Sequence, residues 1–220
     1  MPDQVEETEC LEWIIETGRR LHAKDYIAAA DGNISYRLSD QRILITSRGR
    51  PKGFLTKEDI AIMNLQGEVI AGKPSTESRM HLEVYRRQPE ARAVIHAHAP
   101  TCTAWSIARP DLTRLPDESM AELILAVGEV PVAPYQRPGT EEMARAVAGF
   151  VDKHQVVILA RHGVLSWGRD LEEAYMGVER VEHAAQILWR AQAIGGLTSL
   201  PADEVQALRE MRKNAGNRIL

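Results

Sequence analysis

Three histidines are the residues of this sequence whose type and spacing are best suited to chemistry. His96 and His98 flank a single alanine after the apolar run 93–95, which predicts a buried β-strand. Side chains two apart on a strand point to the same face, so both imidazoles can reach one point in space. Neutral imidazole is the commonest protein ligand for zinc and similar ions. Taken alone the pair is a weak signal, because two polar residues at a strand end explain it equally well.

His162 adds a possible third ligand. It also follows an apolar run, 155–160, which predicts a strand that 163–167 continues past the histidine. Gly163 would let the backbone pack closely beside the imidazole. His162 alone fits a buried or capped histidine as well as a ligand. Three histidines with one open position are typical of catalytic zinc, and such a set also suits Mn²⁺, Co²⁺ or Fe²⁺.

Glu77 is the candidate acid/base of the predicted metal site. It begins a predicted helix over 77–87, for which Ser75 or Thr76 would be the cap. A structural interpretation is an acidic residue favoured by the helix dipole. The functional interpretation is a general acid/base, or an exchangeable fourth ligand, beside the metal. His81 lies one turn further on the same helix face, and we expect it to have a supporting role.

Three short polar segments follow apolar ones and could form an anion cradle from backbone N–H groups and hydroxyls. An ordinary turn or helix cap explains each segment separately more often than an anion site does. None matches a Walker loop or a G-x-G-x-x-G fingerprint, so nucleotide binding is not supported. The candidate residues are Gly32, Asn33, Gly49, Ser75 and Thr76.

The pattern of apolar residues predicts hairpins mixed with amphipathic helices. Such a mixture favours an α/β fold with a central, largely antiparallel sheet and helices around it. No repeat or linker interrupts the 220 residues, so we expect a single domain over 1–220. Helices are predicted over 5–24, 77–87, 100–107, 140–151, 170–193 and 201–214. Further strands are predicted over 34–38, 42–46, 60–65, 68–70 and, as an edge strand, 130–134.

The composition excludes several classes of partner. The net charge is −4, no block of Lys or Arg occurs, and no apolar run reaches the length of a membrane span, so we expect neither a nucleic-acid nor a membrane partner. The N-terminus is polar and acidic, unlike a secretory signal. Cys10 and Cys102 lack C-x-x-C partners, which favours a reduced, cytoplasmic setting. We interpret Cys102 as a small buried thiol in preference to a nucleophile or ligand.

Five segments, in this order, resemble the class II aldolase/adducin superfamily. They are Asp-Gly-Asn-Ile-Ser at 31–35, Ile-Thr-x-x-Gly at 45–49, Pro-Ser-Thr-Glu at 74–77 with His81 after it, His-Ala-His-Ala at 96–99 and Arg-His-Gly at 161–163. The resemblance implies an α/β/α domain with a central, mostly antiparallel sheet. It also implies a homotetramer of C4 symmetry whose active sites lie at subunit interfaces.

The resemblance also implies roles for individual residues. His96, His98 and His162 look like the zinc ligands, and Glu77 looks like the catalytic acid/base. The positions that resemble the family's phosphate-binding residues are Gly32, Asn33, Gly49, Ser75 and Thr76.

Three positions depart from the aldolase branch of the family. Glu122 stands where the aldolase has a proton-donating tyrosine, and the dehydratase branch uses a glutamate near this place. The tail 213–220 lacks the tyrosine that reaches a neighbouring site in the aldolase. Arg48 replaces a small hydroxyl residue and could bind phosphate, bind a carboxylate or point to solvent. The resemblance therefore implies the metal chemistry more securely than the substrate.

Together these features predict a zinc-dependent aldolase-type lyase acting on a small sugar or sugar acid, which we expect to be phosphorylated. It would cleave a C–C bond next to a carbonyl through an enediolate that the metal stabilises. Glu77 would move the proton on the enediolate carbon, and Glu122 would serve the leaving oxygen. A dehydratase, decarboxylase or 4-epimerase on the same scaffold is the near alternative. A non-catalytic, adducin-like interaction module is less favoured. Such a module need not keep metal ligands, whereas the three histidines and Glu77 are all present here.

Overall fold

A central eight-stranded sheet organises the computed structural model, which describes residues 2–219. The strands are β1 (Asn33–Ser39), β2 (Arg42–Thr46), β3 (Ile60–Met63), β4 (Val69–Ala71), β5 (Ala93–Ala97), β6 (Val132–Ala133), β7 (Val156–Leu159) and β8 (Gly163–Gly168). Their order across the sheet is β4-β3-β2-β1-β5-β8-β7-β6. Every neighbouring pair is antiparallel except β6 with β7. The predicted largely antiparallel sheet, with 130–134 at an edge, is confirmed.

Helices cover both faces of this sheet. They are α1 (Pro2–Ala23), α2 (Ser78–Arg87), α3 (Pro100–Ala108), α4 (Ala121–Ala126), α5 (Glu141–Val151), α6 (Leu171–Ile194) and α7 (Ala202–Asn214). Ile95 of β5 packs in an apolar cluster with α1, α3 and α6, whereas its neighbour Val94 packs in a second cluster with α2 and α5. Burial on both faces explains why the central strands are almost continuously apolar. The predicted α/β/α layering is confirmed.

Two helix starts follow directly from the sequence. Thr140 accepts a hydrogen bond from the backbone N–H of Met143 at 3.4 Å, and Asp170 accepts one from Glu173 at 2.7 Å. Each side chain satisfies an N–H group that has no partner within its own helix. Both predicted caps are therefore confirmed, and they fix the starts of α5 and α6.

The prediction that the strand 155–160 continues past His162 is wrong. The chain reverses there, because Leu159 at the end of β7 pairs with Gly163 at the start of β8. Arg161 has φ 60°, in the left-handed region, and the His162 N–H donates to the Leu159 carbonyl at 3.0 Å. These two features close a three-residue loop, so His162 projects from a hairpin turn at the end of the sheet.

The predicted cap of the helix after Ser75 is also wrong. The helix starts at Ser78, and Glu77 is its N-cap residue without a side-chain cap bond. Ser75 is instead bonded to the sheet, because its N–H donates to the carbonyl of Thr46 at 3.1 Å. The Ser75 hydroxyl accepts from the N–H of Glu77 at 3.2 Å. Ser75 therefore fixes the backbone of Glu77 and does not cap the helix.

Both cysteines are buried, and Cys102 is completely buried among apolar residues. This burial confirms the interpretation of Cys102 as a packing residue. Among the helices of residues 2–219, none combines the length and the apolar character that a membrane span requires.

Candidate metal and active site

The three histidines meet at one end of the sheet. The Nε2 atom of His96 lies 3.2 Å from that of His98 and 3.3 Å from that of His162. One ligand nitrogen from each ring lies within 4.8 Å of the other two, so the group could hold a metal ion. His96 is on β5, His98 directly follows this strand, and His162 comes from the β7–β8 turn. The neighbouring antiparallel strands β5 and β8 bring these residues together.

A hydrogen bond orients the ring of His96, and a contact with a carboxylate orients that of His98. Nδ1 of His96 lies 2.9 Å from the carbonyl oxygen of Val164, which can only accept a hydrogen bond. Nδ1 of His98 lies 3.3 Å from a carboxylate oxygen of Asp31. Each Nδ1 therefore carries the proton, and each Nε2 is left with a free lone pair. This is the usual arrangement of histidines that bind metals through Nε2.

The spacing of these nitrogens fits a metal ion. Two unprotonated Nε2 atoms that face each other repel unless a cation lies between them. A tetrahedral zinc ion with bonds of about 2.05 Å would separate two ligand nitrogens by about 3.3 Å. The observed 3.2 and 3.3 Å match that separation. The donor set of His96, His98 and His162 therefore fits zinc or a similar divalent ion.

Burial favours the neutral, ligand form of the rings. His96 is completely buried, which lowers its pKa well below the usual value, and the neighbouring His162 and His98 lower it further. Burial lowers the pKa of His162 to about 4. Both imidazoles are thus neutral at neutral pH, with one proton each, as metal binding requires.

Glu77 faces the same histidines. Its Oε1 lies 3.3 Å from Nε2 of His162, and its Oε2 lies 3.6 Å from Nε2 of His96. Oε2 accepts a hydrogen bond from Asn33 at 2.8 Å, whereas Oε1 has no hydrogen-bond partner in the described part of the chain. Burial raises the pKa of the Glu77 carboxyl, and the hydrogen bond from Asn33 acts in the opposite direction. A buried carboxyl with one unbonded oxygen can both accept and donate a proton.

Glycine is required at three positions of the site for different structural reasons. A Cβ atom on Gly163 would lie 2.3 Å from the carbonyl oxygen of Ala97 and 3.1 Å from the His96 ring. A Cβ atom on Gly32, which has φ 69°, would lie 2.7 Å from the carbonyl oxygen of His96. Both glycines therefore allow close packing around the histidine strand. Gly49 has φ 71° with open space around it, as a ligand-facing turn would require.

The proposed phosphate residues are brought together in part. Ser47 pairs with Pro74, and this pairing sets the turn of Gly49 beside Ser75 and Thr76. Ser75 is buried and Thr76 is exposed. These two residues line a cavity of about 870 Å³ whose charged rim is formed by Arg48, Lys73, Arg79, Glu83, Arg86, Glu141 and Arg145. The Asn33 side chain does not face this cavity, because its amide bonds to Glu77 and His81.

Glu122 is separated from this cluster. It is exposed on α4, a helix that packs mainly on α7. The metal-binding group found in residues 2–219 consists of the three histidines and does not include Glu122.

Two residues behind Asn33 were not predicted from the sequence. Ser35 lies 2.7 Å from His81, for which a supporting role was expected, and 2.7 Å from Tyr85. The signal that could have found them is the spacing of polar residues, every second one on β1 and every fourth one on α2.

The fold and this site define a class of protein. The chain belongs to the class II aldolase/adducin family, because the family described as Class II Aldolase and Adducin N-terminal domain matches residues 12–189. The resemblance found in the sequence is thereby confirmed.

Relatives within the family carry different activities in their names. A 3-oxo-tetronate 4-phosphate decarboxylase of Haemophilus influenzae is 31% identical over 82% of this chain and 87% of its own length. An L-fuculose phosphate aldolase of Methanococcus vannielii is 37% identical over 76% and 88%, respectively. A methylthioribulose-1-phosphate dehydratase of Methylococcus capsulatus is 33% identical over 88% and 99%. The family is thus shown, while its relatives divide among three reactions.

Solved structures agree with the fold. YgbL from Klebsiella pneumoniae superposes with a TM-score of 0.85 at 33% identity, covering 92% of this chain and 99% of that one. An L-fuculose 1-phosphate aldolase superposes with a TM-score of 0.83 at 31% identity, covering 93% and 96%. The central sheet with helices on both faces is thus the fold of class II aldolase structures.

Proposed function

We propose that this protein is a metal-dependent aldolase-type lyase. Its substrate would be a small phosphorylated sugar or sugar acid, cleaved at a C–C bond next to a carbonyl. The observation that carries the proposal is the position of the Glu77 carboxylate, 3.3 Å from a ligand nitrogen of the histidine cluster. Zinc is the proposed ion, and Mn²⁺, Co²⁺ and Fe²⁺ suit the same donors.

In the proposed mechanism His96, His98 and His162 hold the ion. When bound, the ion supplies Lewis-acid polarisation of the substrate oxygens next to the broken bond. Glu77 would transfer the proton at the carbon beside the carbonyl through Oε1, the oxygen to which none of the described residues donates a hydrogen bond. The raised pKa of this buried carboxyl keeps its acid and base forms closer in energy at neutral pH.

The phosphate of the substrate would bind at the turn of Gly49 and at Ser75 and Thr76, just before α2. Backbone N–H groups at a helix start attract anions, and the adjacent hydroxyls can donate hydrogen bonds. Arg48 and Lys73 line the neighbouring cavity and add positive charge. This arrangement favours a phosphorylated substrate over a neutral sugar.

A decarboxylase or dehydratase on the same centre is the second candidate, with a 4-epimerase as a further variant. Two observations favour it. The relatives include a decarboxylase and a dehydratase, at 31% and 33% identity. Glu122 also stands where the aldolase branch has tyrosine. A non-catalytic interaction module is disfavoured, because it would need neither the clustered histidines nor Glu77.

The proposal includes a cytoplasmic homotetramer with active sites at subunit interfaces. Glu122 is exposed and is not part of the histidine group, and in this proposal it acts in the site of a neighbouring subunit. An apolar groove of about 570 Å³ between α3 and α6, lined by Trp105 and Trp189, offers a surface for such contact. Sedimentation velocity would test the assembly, since a monomer at micromolar concentration would contradict it.

The test of the reaction is a comparison of substrates with zinc-loaded protein. L-fuculose 1-phosphate, 3-oxo-tetronate 4-phosphate and methylthioribulose 1-phosphate would each be assayed, together with their unphosphorylated forms. We expect turnover of a phosphorylated substrate that is lost with chelator, restored by zinc and absent in His96→Ala. Full activity in His96→Ala would refute the metal-dependent mechanism.

A further inference from the structure

A continuous chain of buried hydrogen bonds ends on Glu77. The Tyr85 hydroxyl lies 2.7 Å from the Ser35 hydroxyl, which lies 2.7 Å from Nδ1 of His81. Nε2 of His81 lies 2.5 Å from Oδ1 of Asn33, whose Nδ2 donates to Oε2 of Glu77 at 2.8 Å. All five side chains are buried, and His81 and Ser35 have no exposed surface. Solvent therefore offers these groups no alternative partner.

Two elements supply this chain. Glu77, His81 and Tyr85 are spaced by four residues on and just before α2, so they lie along one helix face. Asn33 and Ser35 are two apart on β1 and point to the same side of the sheet. Packing of that helix face against β1 interleaves the five side chains, which fixes their order.

The carboxylate at the end sets the direction of every bond. An ionised Glu77 can only accept, so Asn33 donates through Nδ2 and turns Oδ1 toward His81. His81 must then donate through Nε2–H and accept at Nδ1 from Ser35. Ser35, having donated its proton, accepts from Tyr85. Every bond can be satisfied in this direction, so the orientation of each group depends on its neighbours.

His81 thus determines which side of the Asn33 amide faces Glu77. If the side chain at 81 offered no donor, Oδ1 of Asn33 would be buried without a partner, and the amide could rotate to present its oxygen to the carboxylate. An amide oxygen that faces a carboxylate is repelled by it, so Glu77 would leave its position. With His81 present, Oε2 is bound and Oε1 is left 3.3 Å from Nε2 of His162.

We propose that His81 is a positioning residue for Glu77, acting through Asn33. It keeps Oε2 of Glu77 bonded within the protein and Oε1 turned toward the three histidines. The inference rests on the proposed function, because it assumes a metal ion at those histidines and a proton-transfer role for Glu77. His81 itself touches neither the ion nor the substrate in this account.

Three variants test the proposal. His81→Leu removes both ring nitrogens, whereas His81→Gln returns an N–H donor close to the position of Nε2. Val84→Ala is the matched control, because Val84 is completely buried on the same helix and takes no part in the chain. If His81→Leu does not fold, His81→Asn replaces it, since the shorter amide lies at the position of Nδ1 and leaves Asn33 without its donor.

The first measurement is the visible absorption spectrum of the Co²⁺-loaded protein, which reports the surroundings of the ion without any substrate. We expect His81→Leu to change the spectrum, His81→Gln to restore it and Val84→Ala to match the wild type. Glu77→Gln should also change the spectrum, and adding His81→Leu to Glu77→Gln should change it no further. That dependence is expected only if His81 acts through Glu77.

The second measurement is turnover of whichever phosphorylated substrate the enzyme accepts. We expect kcat of His81→Leu to fall by about 10- to 100-fold, the usual loss when a residue behind a metal site is replaced. KM should change by less than about threefold, because His81 does not line the cavity beside Ser75 and Thr76, where the substrate phosphate is proposed to bind. His81→Gln should recover most of the lost kcat.

The outcomes separate this inference from the proposed function. A His81→Leu protein with the wild-type spectrum and kcat would overturn the inference, as would equal losses in His81→Leu and Val84→Ala. A wild-type protein that binds no Co²⁺ would overturn the metal site and the inference with it. The expected spectral pattern without turnover of any tested substrate would support the positioning role and refute only the proposed reaction.

Discussion

Nε2 of His96 and Nε2 of His162 lie 3.3 Å apart, although the two residues are separated by 66 positions in the sequence. The hydrogen bond from Nδ1 of His96 to the Val164 carbonyl leaves its Nε2 without a proton. Burial lowers the pKa values of both histidines, so both rings are neutral at neutral pH. A cation between the rings would satisfy both nitrogens, and His98 completes a group of three that could hold a metal ion.

Glu77→Gln should retain the metal and lose activity. The amide is similar in shape to the carboxylate but cannot take up a proton, so we expect kcat to fall by about 10²- to 10⁴-fold. Glu90→Gln is the control, because Glu90 pairs with Arg169 at the surface and is not among the residues that line the cavity. Steady-state kinetics and metal analysis would be measured together. Loss of metal in Glu77→Gln would assign Glu77 to the ligands instead.

Glu122 provides a test for shared active sites. If it acts on a neighbouring subunit, Glu122→Gln and Glu77→Gln should each be nearly inactive. Mixed oligomers refolded from equal amounts of the two variants should regain activity. Some of their sites combine an intact Glu77 from one subunit with an intact Glu122 from another. Glu129→Gln, also exposed, is the control for the loss of a surface charge. An inactive hybrid tetramer would place both residues in one subunit or exclude Glu122 from the reaction.

Gly163→Ala should damage the metal site through packing. The new Cβ would lie 2.3 Å from the carbonyl oxygen of Ala97, so β5 must move and His96 with it. We expect zinc affinity to fall by at least about tenfold, the order of loss for disturbed ligand positioning. Gly149→Ala is the matched control on α5, where a Cβ meets no atom within 4 Å. Competition with a chromogenic chelator measures both affinities, and equal values would contradict the packing argument.

His81 should make the metal-free protein sensitive to acid. Complete burial lowers its pKa from 6.5 to about 3, so the unfolded chain binds a proton more readily than the folded one. Its contribution to stability is therefore complete above pH 6.5 and is lost as the pH falls toward 3. Within this window we expect the free energy of unfolding to drop by about 1.4 kcal/mol per pH unit from this residue.

Urea unfolding at several pH values would measure this effect. His96 and His162 contribute with the same sign. Their contributions cancel in the difference of unfolding free energy between wild type and His81→Gln, because both proteins contain them. His183→Gln is the control, because His183 is exposed on α6. A constant difference between wild type and His81→Gln from pH 4 to 7 would show that His81 is not buried in its neutral form.

Much of the fold could be predicted because local signals were strong. Alternating and helical apolar patterns gave the main strands and helices, and Thr140 and Asp170 marked the starts of α5 and α6. The histidines could be identified as a group, since His96 and His98 share a strand face and His162 follows another strand. The three histidines converge because β5 and β8, which carry or adjoin them, are neighbouring strands of one sheet.

Other features depended on tertiary structure. The reversal before His162 uses a left-handed conformation at Arg161, a residue type that gives no turn signal. Ser35 and Tyr85 are 50 positions apart, so their hydrogen bond arises only when α2 packs on β1. The proposed role of Glu122 could not be derived from one chain, because the proposed site between subunits would require the assembly.

The most direct test of the central claim is metal analysis of the purified protein after dialysis against excess zinc and then zinc-free buffer. We predict about one zinc ion per chain in the wild type and in His183→Ala, and almost none in His162→Ala, because two remaining imidazoles bind zinc weakly. Calorimetry on the same samples should show a lower melting temperature for chelated wild type, since only the folded state presents the site. Equal zinc contents in wild type and His162→Ala would contradict the assignment of the three histidines as the metal site.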